Sequence, residues 1–268
     1  MNLLFARWSN FRRFPFRHYR NLVLHKAYAD FRAEAQRTYL GVIWWVLEPL
    51  INMFIYYLVF GVFLRVGREN FISYLLTGLV VWRFYDTTVT RAACSILSNM
   101  TLVRQTAYHK IIFPLVAICT CSFEFIFSLL LLFAVLFLTG FWPTIHIVLL
   151  PALLLVLLLF TIATALPLAV MVPFVPDLMK PVQYGLRLAF YMSAIMYEVS
   201  ALPHGAQVIL QWNPALHIIE AFRDILMYHR LPDYGPVLII TAVSIPVIVF
   251  GVWFNSRFDT VYAKRVSS

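Results

Sequence analysis

The sequence predicts an all-α polytopic membrane protein with six transmembrane helices. It also predicts an N-terminal amphipathic interface helix and short re-entrant helices before the last span. Three observations lead there. Hydrophobic residues make up 62% of the 268 and charged residues only 12%. A soluble domain sits near half apolar and a quarter charged, so lipid must solvate much of this surface. The apolar residues fall into blocks of the roughly 20 residues that a crossing helix requires. The basic residues that give a net charge of +9 lie between those blocks, as in a membrane protein with basic flanks rather than a nucleic-acid binder.

Residues 1–39 form the first unit, a cytoplasmic or interfacial segment. Arg7, Arg12, Arg13, Arg17, Arg20, Lys26, Arg32 and Arg37 alternate there with Trp8, Phe11, Phe14 and Phe16. A helix over 20–38 places Val23, Ala27, Phe31 and Ala35 on one stripe, the pattern of a basic helix lying in the membrane interface. A solvated arm is the plainer alternative. A cleavable signal peptide is not expected, because no short apolar block with a cleavage site follows the arginines.

Residues 40–258 form the transmembrane unit, with spans at about 41–64, 71–95, 112–139, 146–173, 178–200 and 236–257. The tail, 259–268, is cytoplasmic. With the N-terminus inside, inside segments hold fourteen Lys and Arg and outside segments four, which places both termini in the cytoplasm. Between 201 and 235, Asn213 followed by Pro214 reads as an N-cap and first turn. The helix after it sets Ile218, Ile219, Phe222 and Leu226 against His217, Glu220 and Asp224.

Ionisable groups within spans mark functional positions by default. At 3.6 residues per turn, Gly41, Trp45, Glu48, Asn52 and Tyr56 share a face of span one. So do Arg83, Asp86, Thr87, Thr90 and Cys94 in span two, and Asp177, Tyr184, Arg187, Tyr191 and Glu198 in span five. Either these stripes line a hydrated passage, or they pair as glue between helices. Arg83 and Asp86 are close enough on one helix to neutralise each other, and Glu124 is a partner for Arg91 or Arg187. The many aromatics fit an interfacial belt, although their faces also suit stacking against sugars.

Other chemistry lacks its residues. No G-x-x-x-x-G-K-[ST] phosphate loop, no G-x-S-x-G elbow and no His or Cys pair with metal-ligand spacing occurs. Cys94, Cys119 and Cys121 read as small buried hydrophobes. Neither a catalytic nor a metal site is expected.

Residues 40–49, LGVIWWVLEP, follow the basic helix directly. They resemble the first-span signature of polysaccharide-export permeases of the type-two ABC exporter class. LLTGLVVW at 75–82, LSNMTLVRQTAYHKIIFP at 97–114, VPDLMKPVQYGLRLAFYMSAIMYEVSALP at 175–203 and QWNPALHIIEAFRDILM at 211–227 agree in order and spacing. The 97–114 loop is closer to the O-antigen branch, and LEP at 47–49 also resembles capsule-export relatives.

The resemblance implies a homodimer in the bacterial inner membrane that binds two copies of a separate ATPase subunit. ATP and Mg²⁺ would be held by that subunit, with no cofactor in this chain. The cargo implied is a lipid-linked polysaccharide. Leu102, Arg104, Tyr108, His109 and Lys110 would form the coupling helix, and the helix at 20–38 would help to gate lipid entry. Trp45, Glu48, Asn52, Tyr56, Arg83, Asp86, Tyr184, Arg187, Tyr191 and Glu198 would face the channel. Trp212, Asn213, Pro214, His217, Glu220 and Arg223 would belong to re-entrant helices capping the outer mouth. A type-two permease for a drug or small lipid is the nearest alternative. A membrane-embedded glycan-modifying transferase using Arg83, Asp86 and Glu124 is the alternative of another class.

Overall fold

The computed structural model describes residues 16–65, 69–105 and 109–265, and they are helical nearly throughout. In chain order the helices are α1 (Phe16–Arg37), α2 (Ile43–Tyr56), α3 (Phe71–Ser98), α4 (Met100–Gln105), α5 (Ile112–Leu138), α6 (Leu150–Met171), α7 (Met179–Tyr191), α8 (His204–Leu210), α9 (Pro214–Leu226) and α10 (Tyr234–Arg265). A π-helical stretch, Tyr57–Phe63, extends α2, and a 3₁₀ turn, Ile145–Leu149, leads into α6.

Four of these rods are long and apolar enough to cross a membrane: Ile43–Phe63, Ile112–Leu138, Ile145–Met171 and Tyr234–Phe258. α3 has 28 residues, about 42 Å at 1.5 Å per residue, but it is more polar. It is also the centre of the bundle. Residues from Ser73 to Trp82 are buried without interruption, so other helices rather than lipid cover its polar groups. α3 packs closely on α5 and α6, α6 on α10, and α1 on α5. Phe84 stacks on Phe125 with ring centroids 4.4 Å apart, and Tyr85 on Phe160 at 4.8 Å. Gly251 lets α10 approach α6, since a Cβ there would lie 3.0 Å from Leu166, in keeping with small residues at membrane helix contacts.

Local chemistry explains the irregular points. Gly41 has φ +47° in the turn joining α1 to α2, and a Cβ there would lie 2.5 Å from the Ala35 carbonyl oxygen, so glycine is required. Pro49 lies inside α2 and has no N–H to donate to the carbonyl four residues back, that of Trp45. Ser128 of α5 donates its hydroxyl to that carbonyl at 3.2 Å, which satisfies a group that lipid would leave unpaired. Asn213 caps α9 by accepting the Ala215 N–H at 3.1 Å, with Pro214 in the first turn, as its sequence predicts.

Two elements differ from expectation. The segment expected as span five, 178–200, is helical only from Met179 to Tyr191. Its thirteen residues reach about 20 Å, short of the roughly 30 Å hydrocarbon core. Residues 192–198 are turns and bends. Glu198 therefore shares no helix face with Tyr184, Arg187 and Tyr191. The second difference is α1. Val23 and Ala27 bury against Ile112 and Val116. One to two turns later Phe31 packs on Phe123 and Phe127. Successive turns of α1 meet successive turns of α5, so the apolar stripe is covered by protein.

The bundle has two distinct ends. At one, Tyr19 of α1 meets His109. There α4, the start of α5 and the ends of α6 and α10 share a cluster of Val103, Phe113, Val170, Phe174, Phe254 and Phe258. At the other, Tyr57 meets Phe71, Ser73 bonds Thr139 at 2.7 Å, and α8 and α9 follow the break in α7.

Candidate functional site

α2 and α7 are thinly covered by the rest of the bundle. α2 buries only Trp45 and Pro49, and α7 only Leu186. α3 runs beside both. On this side Arg83 of α3 forms an ion pair with Glu48 of α2. The pairing is between helices, in preference to the neighbouring Asp86. Asn52 and Asp86 are half-buried. Tyr56 stands 5.7 Å from the Phe190 ring, which also contacts Trp82 at 5.7 Å, so Phe190 joins the C-terminal end of α7 to α2 and α3. Tyr184, Arg187 and Tyr191 are exposed along α7, with the Arg187 guanidinium 5.9 Å from the Tyr184 ring centre. The result is an open face of tyrosines and paired charges. Trp45 is not on it. Its ring is buried, 4.8 Å from Phe31 and 5.5 Å from Phe127, because the α1–α5 seam needs a large apolar side chain there.

Behind this face three helices share one cation. Arg91 of α3 donates to both carboxylate oxygens of Glu34 on α1, at 3.0 and 2.8 Å, and to Glu124 of α5 at 2.6 Å. Beside it a cavity of about 340 Å³ is lined by Lys26, Asp30, Arg91, Cys94, Ser95 and Asn99. Lys26 is paired with Asp30 at 3.0 Å. Each cation in the cavity wall is thus matched locally by carboxylate.

The residues expected at the coupling helix divide. Leu102 is 41% exposed at the end of the bundle. Lys110 is buried, and its ammonium donates to the Val103 carbonyl at 3.0 Å. It closes the end of α4 from inside, so it is a support for that helix rather than its outer surface. His109 is half-buried beside Tyr19. Arg104 lies in α4, and Tyr108 lies outside the described residues.

At the opposite end a cavity of about 470 Å³ is lined by Tyr74, Glu198, Glu220, Arg223, Asp224 and Arg230, among others. Burial pushes the Glu220 carboxyl above its ordinary range. It also raises Asp224, against the pull of Arg230, whose Nε donates to it at 2.7 Å. His217 contacts the Gln211 carbonyl at 2.8 Å, and Trp212 is 85% exposed. Arg223, expected in the re-entrant helices, is only 2% exposed.

Residues 27–227 match the family model described as ABC-2 type transporter. The chain belongs to the ABC-2 type transporter family. Among curated members, an O-antigen export system permease protein RfbA of Myxococcus xanthus is 29% identical over 232 residues, covering 86% of this chain and 89% of the relative. The RfbA of Klebsiella pneumoniae is 25% identical over 231 residues, 85% of this chain and 89% of its own. A polysialic acid transport protein KpsM of Escherichia coli is 23% identical over 194 residues, 70% of this chain and 74% of its own.

This ABC-2 chain holds two features that sequence reasoning missed. Glu34 gives no sign in the sequence of reaching Arg91, which lies 57 positions further on with the whole of α2 between them. The interior position of Arg223 is likewise hidden, although its neighbours Ile219, Phe222 and Leu226 mark the side of α9 that buries. An arginine next to that stripe was the available signal.

Proposed function

We propose that this chain is the membrane permease subunit of an ABC exporter that moves a lipid-linked polysaccharide, O-antigen first among candidates, across the bacterial inner membrane. The observation that carries the reading is the match over most of the chain to permeases named for O-antigen export, on a fold whose thinly covered α2 and α7 bear the polar and aromatic face. In this reading six segments cross: α2, α3, α5, α6, α7 with its broken continuation, and α10. Both termini are cytoplasmic. A homodimer brings two open faces together, and the passage runs between them past Glu48–Arg83, Tyr56, Tyr184, Arg187 and Tyr191. Two copies of a separate ATPase subunit engage α4 and Leu102. They hold ATP and Mg²⁺, and this chain moves no bonds itself. Aromatic faces and exposed polar groups suit a glycan, which needs C–H stacking and hydrogen bonding rather than an apolar sleeve.

α1 helps to admit the lipid carrier, supported by its place on α5 and its charge clasp. A capsule polysaccharide is the second cargo, favoured by the likeness to the polysialic acid transport protein. One experiment tests the reading. The purified chain in liposomes is expected to show no ATP hydrolysis, and hydrolysis with glycan translocation once the cognate ATPase subunit is added. A clean deletion strain with normal surface glycan and no cytoplasmic lipid-linked polymer would sink it.

A further inference from the structure

The helix break after Tyr191 is irregular backbone, and it is buried. Ser193, Ala194, Ile195 and Met196 are at most 3% exposed. Ala194 has φ +48°, a left-handed conformation that strains a non-glycine residue. Irregular backbone at this depth persists only where its carbonyls find donors. Arg223 supplies them. Its Nη1 donates to the Ala194 carbonyl at 3.1 Å, and its Nη2 to the carbonyls of Ile195 at 3.2 Å and Tyr74 at 3.3 Å. The guanidinium carbon lies 3.5 Å from the Tyr74 ring centre, a cation–π contact. The Tyr74 hydroxyl donates to Ala194 and Tyr197 in turn. Gly78, one turn along α3, leaves the space. A Cβ there would lie 2.8 Å from Arg223 Nη2 and 3.2 Å from Ile195.

We propose that Arg223 is the positioning residue of the outer mouth: it ties the broken segment 194–195 to α3, and so fixes where α7 ends and where Tyr191 stands. A planar fork with five donors can hold carbonyls of two segments while stacked on a ring; an ammonium cannot. That the segment borders a passage rests on the permease reading. That Arg223 holds it does not.

The test uses the full chain with Cys94, Cys119 and Cys121 replaced and Met196→Cys added, assembled with its ATPase subunit. In the parent this cysteine is expected to resist a membrane-impermeant maleimide. Arg223→Gln and Gly78→Ala are expected to speed its labelling about tenfold, with Arg223→Lys between. Gly78→Ala keeps the arginine and its charge, and carries the test if Arg223→Gln fails to assemble. ATP hydrolysis by the variant complexes should stay within twofold of the parent while export falls at least fivefold, a split that general misfolding would not give. Unchanged labelling, or export that stays intact when labelling rises, overturns the proposal. A parent complex that exports no glycan overturns the permease reading instead.

Discussion

Arg91 is the point at which α1, α3 and α5 meet. Its side chain and that of Glu34 are 37% and 40% exposed, and that of Glu124 10%. Removing one partner of a fully buried pair costs about 3–5 kcal/mol, because a charge is left stranded, whereas exposed pairs contribute about 0–1 kcal/mol. Arg91 sits between those limits, so Arg91→Met should destabilise by roughly 2 kcal/mol. Most of the cost comes from leaving Glu34 and Glu124 facing each other. Thermal unfolding in detergent reads this directly. The double variant Arg91→Met with Glu34→Gln should recover part of the loss; strictly additive losses would show that the three groups do not act as a unit. At this scale the sequence is legible only in part. Helical periodicity places Glu48 on one stripe and Arg83 on another, but which stripes touch depends on how the helices pack. Lys110 shows the same limit: a lysine in a loop reads as surface, and only the fold turns it inward to the Val103 carbonyl.

Elements were legible where one helix carries its own signal. Long apolar blocks place α5, α6 and the crossing part of α10 closely, because a crossing stretch must be apolar; the helix of α10 continues to Arg265, past the 257 expected from the apolar block. The end of α7 was not legible. Residues 192–198 contain no glycine or proline to end a helix, and the donors that permit their unwinding come from Tyr74 and Arg223, distant in sequence. α1 was half legible. Its stripe of Val23, Ala27 and Phe31 is plain in the sequence, but such a stripe fits lipid and a neighbouring helix equally well. Its attachment gives a prediction for the turn that joins it to α2. Gly41→Ala places a methyl group against the Ala35 carbonyl in a left-handed backbone, at a cost of at least about 1–2 kcal/mol. The turn should rearrange and draw α1 away from α5. Limited proteolysis should then cut between residues 36 and 43 several times faster than in the parent, with α5 intact. Equal cleavage rates would mean that α1 is held on α5 by its clasp and stripe alone.

For the whole molecule, the two bundle ends differ in charge. Around α4 lie Arg17, Arg20, Lys180 and Arg257; near the other end are Arg65 and Arg230, with Arg223 buried. A basic residue near an anionic inner surface contributes about 1 kcal/mol, so the α4 end is expected to face the cytoplasm. This orientation underlies both the coupling role proposed for Leu102 and the mouth role proposed for α8 and α9, and it can be read without any transport assay. Leu102→Cys and Trp212→Cys are placed separately in a cysteine-free chain expressed without the ATPase subunit. Both sites are exposed, at 41% and 85%, and they lie at opposite ends. In cells with a permeabilised outer membrane, an impermeant maleimide should label Trp212→Cys at least tenfold faster than Leu102→Cys. In inverted inner-membrane vesicles the order should reverse. The opposite pattern would turn the molecule over, put α4 beyond the reach of a cytoplasmic motor, and leave the ends of α8 and α9 as the surface that such a motor would have to grip.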